Sequence, residues 1–405
     1  MKTVRSARRI PFNKAALMGN ELEYVADAIK RGHAAGDGEF TKRAQVVLEE
    51  KLGAPRVLLT SSCTHALEMA ALLLDIRAGD EVVLPSFTFV STANAFVLRG
   101  AKPVFADIRS DTLNLDESQI EDLLTPRTKV IVPVHYAGVG CEMDSIVSIA
   151  KRYGVRVVED NAHGLFARYR GRYLGTFGSV ATQSFHETKN VTCGEGGAII
   201  VNDVDLIQRA EVLRDKGTNR SRFYRGEVDK YTWVDLGSSY LMSDILAAFL
   251  CAQLEAYKRI AATRCRIWNI YHDELSGWAS DMGVQMPFVP SYCDQPHHMF
   301  YLIMPSHRDQ QGLIQHLKAR GILSVFHYVP LHLSPMGMSL GGRAGQCPVA
   351  ERVGHCLVRL PFFNELSEIA QREVVEAVRR FKCQDKASAA NHRESQSPMN
   401  ESCYV

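Results

Sequence analysis

The sequence predicts an α/β protein, with a large part built on a mainly parallel sheet and a smaller α+β part behind it. Three observations lead there. From about residue 56 to 202, short apolar runs alternate with helical patterns, and strands that alternate with helices form parallel sheets covered on both faces. Helical signal then dominates residues 243–275, and a second unit follows over 285–383. The 405 residues are long for one domain and comfortable for two. We expect a large domain over residues 1–250, a smaller one over 251–383, and a polar, aperiodic tail over 384–405 that reads as disordered.

The elements follow in order. Apolar runs at 56–60, 81–84, 103–107, 130–135, 156–159 and 198–201 read as strands of the sheet. Residues 64–74 and 143–153 carry helical periodicity between them. In the second unit, 298–304 and 323–328 read as strands. Ligands of such sheets sit beyond the carboxyl ends of the strands. Ser62 to Thr64, Phe87, Phe89, His135, Tyr136 and Asp160 all fall there.

Composition narrows the function. Apolar residues make up 46% and charged residues 23%, and the formal net charge is +2. No global field invites nucleic acid or a membrane surface, so an anionic ligand must be held locally. The ten cysteines include no C-x-x-C pair, which argues against zinc and thioredoxin-type sites and is consistent with reduced, cytoplasmic thiols. The basic start lacks the apolar segment of a signal peptide, and no apolar stretch is long enough to span a bilayer.

Three short segments carry the chemistry. In Ser184-Phe185-His186-Glu187-Thr188-Lys189-Asn190, a lysine precedes the flexible run Gly194-Glu195-Gly196-Gly197. A free lysine is a poor nucleophile at pH 7, whereas one that binds a carbonyl cofactor covalently is not. Asn190 stands where H-E-x-x-H needs its second histidine, so no metal is expected. In Glu159-Asp160-Asn161-Ala162-His163, a carboxylate ends a buried strand. It is costly there unless it meets a cation, such as a protonated pyridine nitrogen. In Ser61-Ser62-Cys63-Thr64-His65, small hydroxyl residues open a helix whose first amides suit a phosphate. Each segment taken singly also has a plain structural reading: a turn lysine, a capping Asp with a core His, an ordinary N-cap. Gly138-Val139-Gly140 lacks the third glycine of a dinucleotide fingerprint.

Taken together, the order of strand, S-x-T and helix, then P-S-F-T-F, E-D-x-A-H and S-F-H-x-x-K-x-x-x-x-G-E-G-G, resembles the DegT/DnrJ/StrS family of sugar aminotransferases from about Pro11 to Phe381. IPFN at 10–13, GDGEFTKR at 36–43, SFTFVSTANAFVLRGAK at 86–102, PVHYAGVGCEMD at 133–144, GSSYLMSD at 237–244 and FHYVPLH at 326–332 extend the likeness. The resemblance implies a homodimeric fold-type-I enzyme (aspartate aminotransferase-like) that uses pyridoxal 5′-phosphate. Lys189 would bind the cofactor covalently and Asp160 would pair with the pyridine nitrogen. His163 would lie by the ring oxygen and Phe89 would stack on the ring. The phosphate would rest on Cys63, Thr64 and His65 at the helix start and on the Ser184 hydroxyl. Ser239 stands where the family's G-x-N-x-R-M-S pattern has the Asn that reaches the neighbouring subunit's phosphate. His327, Tyr328 and His332 would face the substrate.

The implied reaction moves the amino group of L-glutamate to the 4-keto carbon of dTDP-4-keto-6-deoxy-D-glucose. The alternatives are another nucleotide-linked keto sugar and a non-catalytic nucleotide-sugar-binding protein. Lys189 separates the chain from related sugar dehydratases, where a histidine usually takes that place.

Overall fold

The computed structural model describes residues 9–383. The tail expected over 384–405 lies outside the described residues. The strands are β1 (Arg56–Thr60), β2 (Glu81–Pro85), β3 (Lys102–Ala106), β4 (Thr128–Ile131), β5 (Arg156–Asp160), β6 (Arg168–Tyr169), β7 (Arg172–Tyr173), β8 (Val180–Ser184), β9 (Gly197–Val201), β10 (Cys293–Asp294), β11 (Tyr301–Ile303) and β12 (Leu357–Arg359).

Seven of them form one sheet in the order β1-β9-β8-β5-β4-β2-β3. The β3, β2, β4, β5 and β8 neighbours are parallel, and β9 runs antiparallel to both β8 and β1. Side chains alternate across it. Leu58, Val158, Val180 and Ile199 enter one core, while Val57, Leu59, Ala181 and Ile200 enter another on the opposite face. Burial on both faces explains why these strands read as continuous apolar runs.

Most of the expected strands are present within a residue or two, and the differences have local causes. The run at 130–135 leaves the regular ladder after Ile131, shortly before Pro133, which has no N–H to give, and meets β5 again through a bridge from Val134 to Asp160. The central strand β8 was not expected. Its sequence, Val-Ala-Thr-Gln-Ser, carries no clear apolar period, yet all five residues are buried between β5 and β9. At 323–328 only a bridge from Val325 to Arg359 forms. The helical stretch from 243 is two helices, Asp244–Glu255 and Tyr257–Met282. Ser243 caps the first by accepting from the Leu246 amide at 3.4 Å.

The Tyr257–Met282 helix links two cores. Ile260 packs with the sheet-side cluster, while Ile267, Tyr271 and Leu275 pack with Phe300, Leu302, Val358 and Val374. Ile10, near the start of the described chain, joins this C-terminal core and bridges to Ile322. No described helix is long and apolar enough to cross a membrane.

Candidate active site

The strand register gathers the three segments. Asp160 at the end of β5 lies opposite Thr182 of β8, and Ser184 at the end of β8 lies opposite Gly197 of β9. Gly197 in turn lies opposite Thr60, where β1 gives way to the Cys63–Leu73 helix. A cavity of about 430 Å³ opens there, lined among others by Cys63, Thr64, Phe89, Asp160, His163, Ser184, Lys189, His327 and Tyr328.

Glycine 197 makes this convergence possible. A Cβ on it would stand 2.4 Å from the Cys63 backbone nitrogen. The same holds for Gly196, whose Cβ would meet Cys193 Sγ at 2.5 Å. The glycine run expected to be flexible therefore serves close packing at two of its positions. Only Gly194, with φ of 86° and open space around it, uses the conformational freedom of glycine.

Asp160 is 5% exposed. Its carboxylate accepts from Thr92 Oγ1 at 2.8 Å and from the Ala162 amide at 3.2 Å. No basic side chain pairs with it among the described residues. The neighbouring Glu159 is held quite differently. It accepts from the amides of Gly175, Phe177 and Gly178 at 2.6–2.8 Å and from His135 Nε2 at 3.0 Å. His135 Nδ1 accepts from the Cys141 amide. His135 is thus a structural anchor for the strand end and not a ligand-side residue. One carboxylate is consumed by the fold, and the other is left facing the cavity.

Lys189 follows a turn in which its amide donates to the His186 carbonyl at 2.9 Å. Burial pushes its amine down to about 8, although Cys63 and Asp160 pull the other way. His163 accepts from the Ala137 amide through Nδ1 at 3.3 Å, which leaves Nε2 as the N–H. Burial, with Lys189 nearby, holds it well below the usual histidine range, so the ring is neutral. It stacks on His298 at 4.3 Å between ring centres. His298 is fixed by Asn190 Oδ1 at 2.8 Å, and Asn190 donates to the Pro296 carbonyl. His327 meets the Tyr136 hydroxyl at 2.9 Å through Nδ1. Phe89, 57% exposed, forms part of the cavity rim, whereas Phe87 is core, packed on Tyr136.

At the helix start, Ser62 accepts from the His65 amide at 3.1 Å. This corrects the expected place of His65 in the phosphate cradle: its amide is already engaged. Its imidazole meets Ser61 Oγ at 2.6 Å and packs on Tyr240. Of the first-turn amides, those of Cys63 and Thr64 remain. The Thr64 hydroxyl meets Ser91 at 2.8 Å. His332 is a second correction. It is fully buried away from the cavity, with Nδ1 on Ser86 Oγ at 2.5 Å and Nε2 on Glu351 at 2.9 Å. Both nitrogens are used up joining the end of β2 to the C-terminal part. Ser239 is exposed and lies outside the cavity of its own chain, bridged to Asp215.

Among the cavity residues that sequence reading missed are Thr92, His298 and Arg359. Thr92 lies four residues after Thr88, one helical turn on, and that spacing was the available signal. The others come from segments distant in sequence and had none.

A buried carboxylate with no cation, a lysine of depressed basicity beside it, and helix-start amides with hydroxyls fit the ring nitrogen, the carbonyl carbon and the phosphate of pyridoxal phosphate. The fold and site define a pyridoxal-phosphate-dependent aminotransferase of fold type I. The DegT/DnrJ/EryC1/StrS aminotransferase family matches residues 16–379, and the chain belongs to that family. It is 34% identical to the GDP-perosamine synthase of Caulobacter vibrioides over 91% of this chain and 97% of that one. The aminotransferase TlmJ from Streptoalloteichus hindustanus superposes with a TM-score of 0.84 at 30% identity, over 92% and 98% of the two chains. The putative sugar aminotransferase Spr1654 from Streptococcus pneumoniae, solved in a PLP-form, gives 0.84 at 26% identity over 92% and 98%.

Proposed function

We propose that the enzyme moves the amino group of L-glutamate to the 4-keto carbon of dTDP-4-keto-6-deoxy-D-glucose, giving dTDP-4-amino-4,6-dideoxy-D-galactose and 2-oxoglutarate. The observation that carries the transamination chemistry is that an Asp160 carboxylate without a basic partner and the Lys189 amine line one cavity. The sugar substrate rests on the sequence likeness in the segments at 36–43, 86–102, 133–144 and 326–332.

When bound, pyridoxal phosphate supplies the electron sink for the charge left on the donor Cα. Asp160 would hold the ring nitrogen in its protonated form, as an anion in a desolvated setting favours a neighbouring cation. Cys63 and Thr64 give main-chain donors to the phosphate, and the Ser184 hydroxyl adds a third. His163, with its Nε2–H free, would donate to the ring oxygen, and Phe89 would stack on the ring. Lys189 would hold the cofactor covalently, and its amine would serve as the base and acid for the donor's Cα proton. Its lowered basicity suits that exchange near neutral pH. His327 and Tyr328 line the substrate side. A second copy of the chain supplies Ser239 at the phosphate.

A GDP-linked 4-keto sugar is the second reading, favoured by the likeness to the GDP-perosamine synthase. Mass spectrometry of products decides between them. The enzyme is incubated with glutamate and either dTDP-4-keto-6-deoxyglucose or a GDP-linked 4-keto-6-deoxyhexose. An aminated dTDP sugar is expected. Turnover of the GDP sugar alone would replace the first reading with the second.

A further inference from the structure

His298 stands where the chain passes from β10 to β11, and its backbone is held by a buried arginine. Arg264 of the Tyr257–Met282 helix donates through Nε to the His297 carbonyl at 3.0 Å and through Nη2 to the His298 carbonyl at 2.6 Å. Arg264 is 3% exposed, and these two carbonyls are its polar partners among the described residues. Between them His297 takes φ of 51°, the left-handed region that a non-glycine residue adopts uncommonly. A strained backbone of this kind persists only where its surroundings fix it. Here it turns the chain so that His298 lines the cavity.

The imidazole is fixed as well. Asn190 spends its Nδ2 on the Pro296 carbonyl at 2.7 Å, so its Oδ1 is the atom left for His298 Nδ1, 2.8 Å away. A carbonyl oxygen only accepts, so His298 carries its proton on Nδ1 and leaves Nε2 bare. Burial, with His163 and Lys189 close by, holds it well below the usual histidine range, so this ring is neutral. Its neighbour His163 has much less to hold it. The Ala137 amide at 3.3 Å makes its one side-chain hydrogen bond among the described residues. The torsion that turns an imidazole about its Cβ–Cγ bond is broad, so a single long bond leaves the ring room to swing. What limits the swing is the flat face of His298, 4.3 Å away between ring centres and tilted by 21°. The next rings are farther off, His327 at 6.3 Å and Tyr136 edge-on at 6.0 Å. Asn190 also follows Lys189 directly. One side chain therefore ties the turn that carries the reactive amine to the ring that backs His163.

We infer that His298 is a positioning residue: its face, set by Asn190 and Arg264, aims the His163 Nε2–H at the cofactor's ring oxygen. This rests on the place given to His163 in the proposed function. His298 acts by contact with His163 and touches no reacting atom, as a supporting shell does for a functional group. A donor at the ring oxygen favours the anionic form of that oxygen. The proton shared between the ring oxygen and the lysine-bound nitrogen is then released at lower pH. With the donor slack, it is held to higher pH.

The test is a pH titration of the cofactor's visible band in purified holoenzyme without substrates. It compares wild type with His163→Ala, His298→Ala, His298→Phe and the double variant His163→Ala/His298→Ala. His298→Ala should raise the midpoint by about one pH unit, the scale of a charge-assisted hydrogen bond, and His163→Ala should do the same. The double variant should move no further than His163→Ala, because both changes remove one contact. His298→Phe keeps a flat face and should recover most of the shift. Asn190→Ala unties the imidazole without removing it and should move the midpoint in the same direction, which keeps the test open if His298→Ala does not fold. A lower melting temperature in His298→Ala with the midpoint unchanged would reduce His298 to a core residue and overturn the inference. A raised KM for keto sugar with the midpoint unchanged would make it a substrate contact through the bare Nε2 and overturn it too. So would shifts that add in the double variant. If His163→Ala moves the midpoint and His298→Ala does not, this inference alone falls. If His163→Ala leaves the midpoint in place, the role given to His163 falls and takes this inference with it.

Discussion

Two adjacent carboxylates, Glu159 and Asp160, show how residue-scale context assigns roles. Four donors surround Glu159 and fix the strand end, while Asp160 keeps its charge for the cavity. Asp160→Asn preserves the size and the Thr92 contact but removes the charge. Taking one partner from a buried charge pair typically costs about 3–5 kcal/mol, and on the proposed function the ring nitrogen would give up its proton instead. The glutamate half-reaction should slow by orders of magnitude in single-turnover absorbance measurements. Borohydride should still fix the cofactor on the peptide carrying Lys189, because that attachment needs no electron sink. Near-normal single-turnover rates in Asp160→Asn would remove Asp160 from its role.

The lysine itself gives a pH signature. Burial takes its amine from an ordinary 10.5 down to about 8. Cofactor uptake by the apoprotein needs the neutral amine, so its initial rate should climb about tenfold per pH unit up to about 8 and then level off. The stability effect has a definite sign. Between about 8 and 10.5 the unfolded lysine holds a proton that the folded one has released, so this group makes folding more favourable as pH rises through that window. Below about 8 its burial opposes folding by a constant amount. Lys189→Met apoprotein should lack the increment, as melting curves at pH 8 and pH 10 can show.

At the scale of elements, the site depends on how closely the start of β9 approaches the start of the Cys63–Leu73 helix. Gly197→Ala forces a Cβ against the Cys63 nitrogen and the Ser62 carbonyl group, both rigid backbone. The expected outcome is a loss of about 1–3 kcal/mol in stability, as for an overpacked core, with a larger fall in cofactor affinity because the phosphate cradle is displaced. Gly194→Ala has open space and meets only the cost of its positive φ, about 1 kcal/mol. Equilibrium dialysis of pyridoxal phosphate with denaturant melts separates the two. Gly138 belongs to the same class. It has φ of 84° with Pro296 2.4 Å from a would-be Cβ, so its place in a partial G-x-G pattern reflects backbone conformation and packing.

At the scale of the whole molecule, a single chain leaves apolar side chains uncovered. Trp233 is 75% exposed, Tyr224 69% and Phe89 57%. The first two lie in the segment that leads to Ser239, and the third is on the cavity rim. Large exposed apolar side chains are what an interaction surface would cover. On the proposed function, a second copy would cover them and place its Ser239 by the phosphate. Sedimentation equilibrium should give a dimer, and Trp233→Glu should shift it to monomer with loss of activity. A fully active monomer would rule out the shared site.

Sequence alone determined the sheet's parallel character, the approximate place of most of its strands, and the three segments that meet at its edge. These are local matters: apolar runs of strand length, helical periods between them, and polar residues where each strand ends. It also supplied Lys189, Asp160, Cys63, Thr64 and Ser184 as cavity residues. What it could not decide depends on long-range packing. β8 is a strand because neighbours on both sides supply its hydrogen bonds, not because Val-Ala-Thr-Gln-Ser carries a period. His327 and His332 look alike in FHYVPLH, yet one lines the cavity and the other is spent on Ser86 and Glu351. Arg359, in an apolar run 170 positions after Lys189, gave no signal at all. Whether a polar side chain is free for a ligand depends on which partners the fold brings to it, and those partners come from distant parts of the chain.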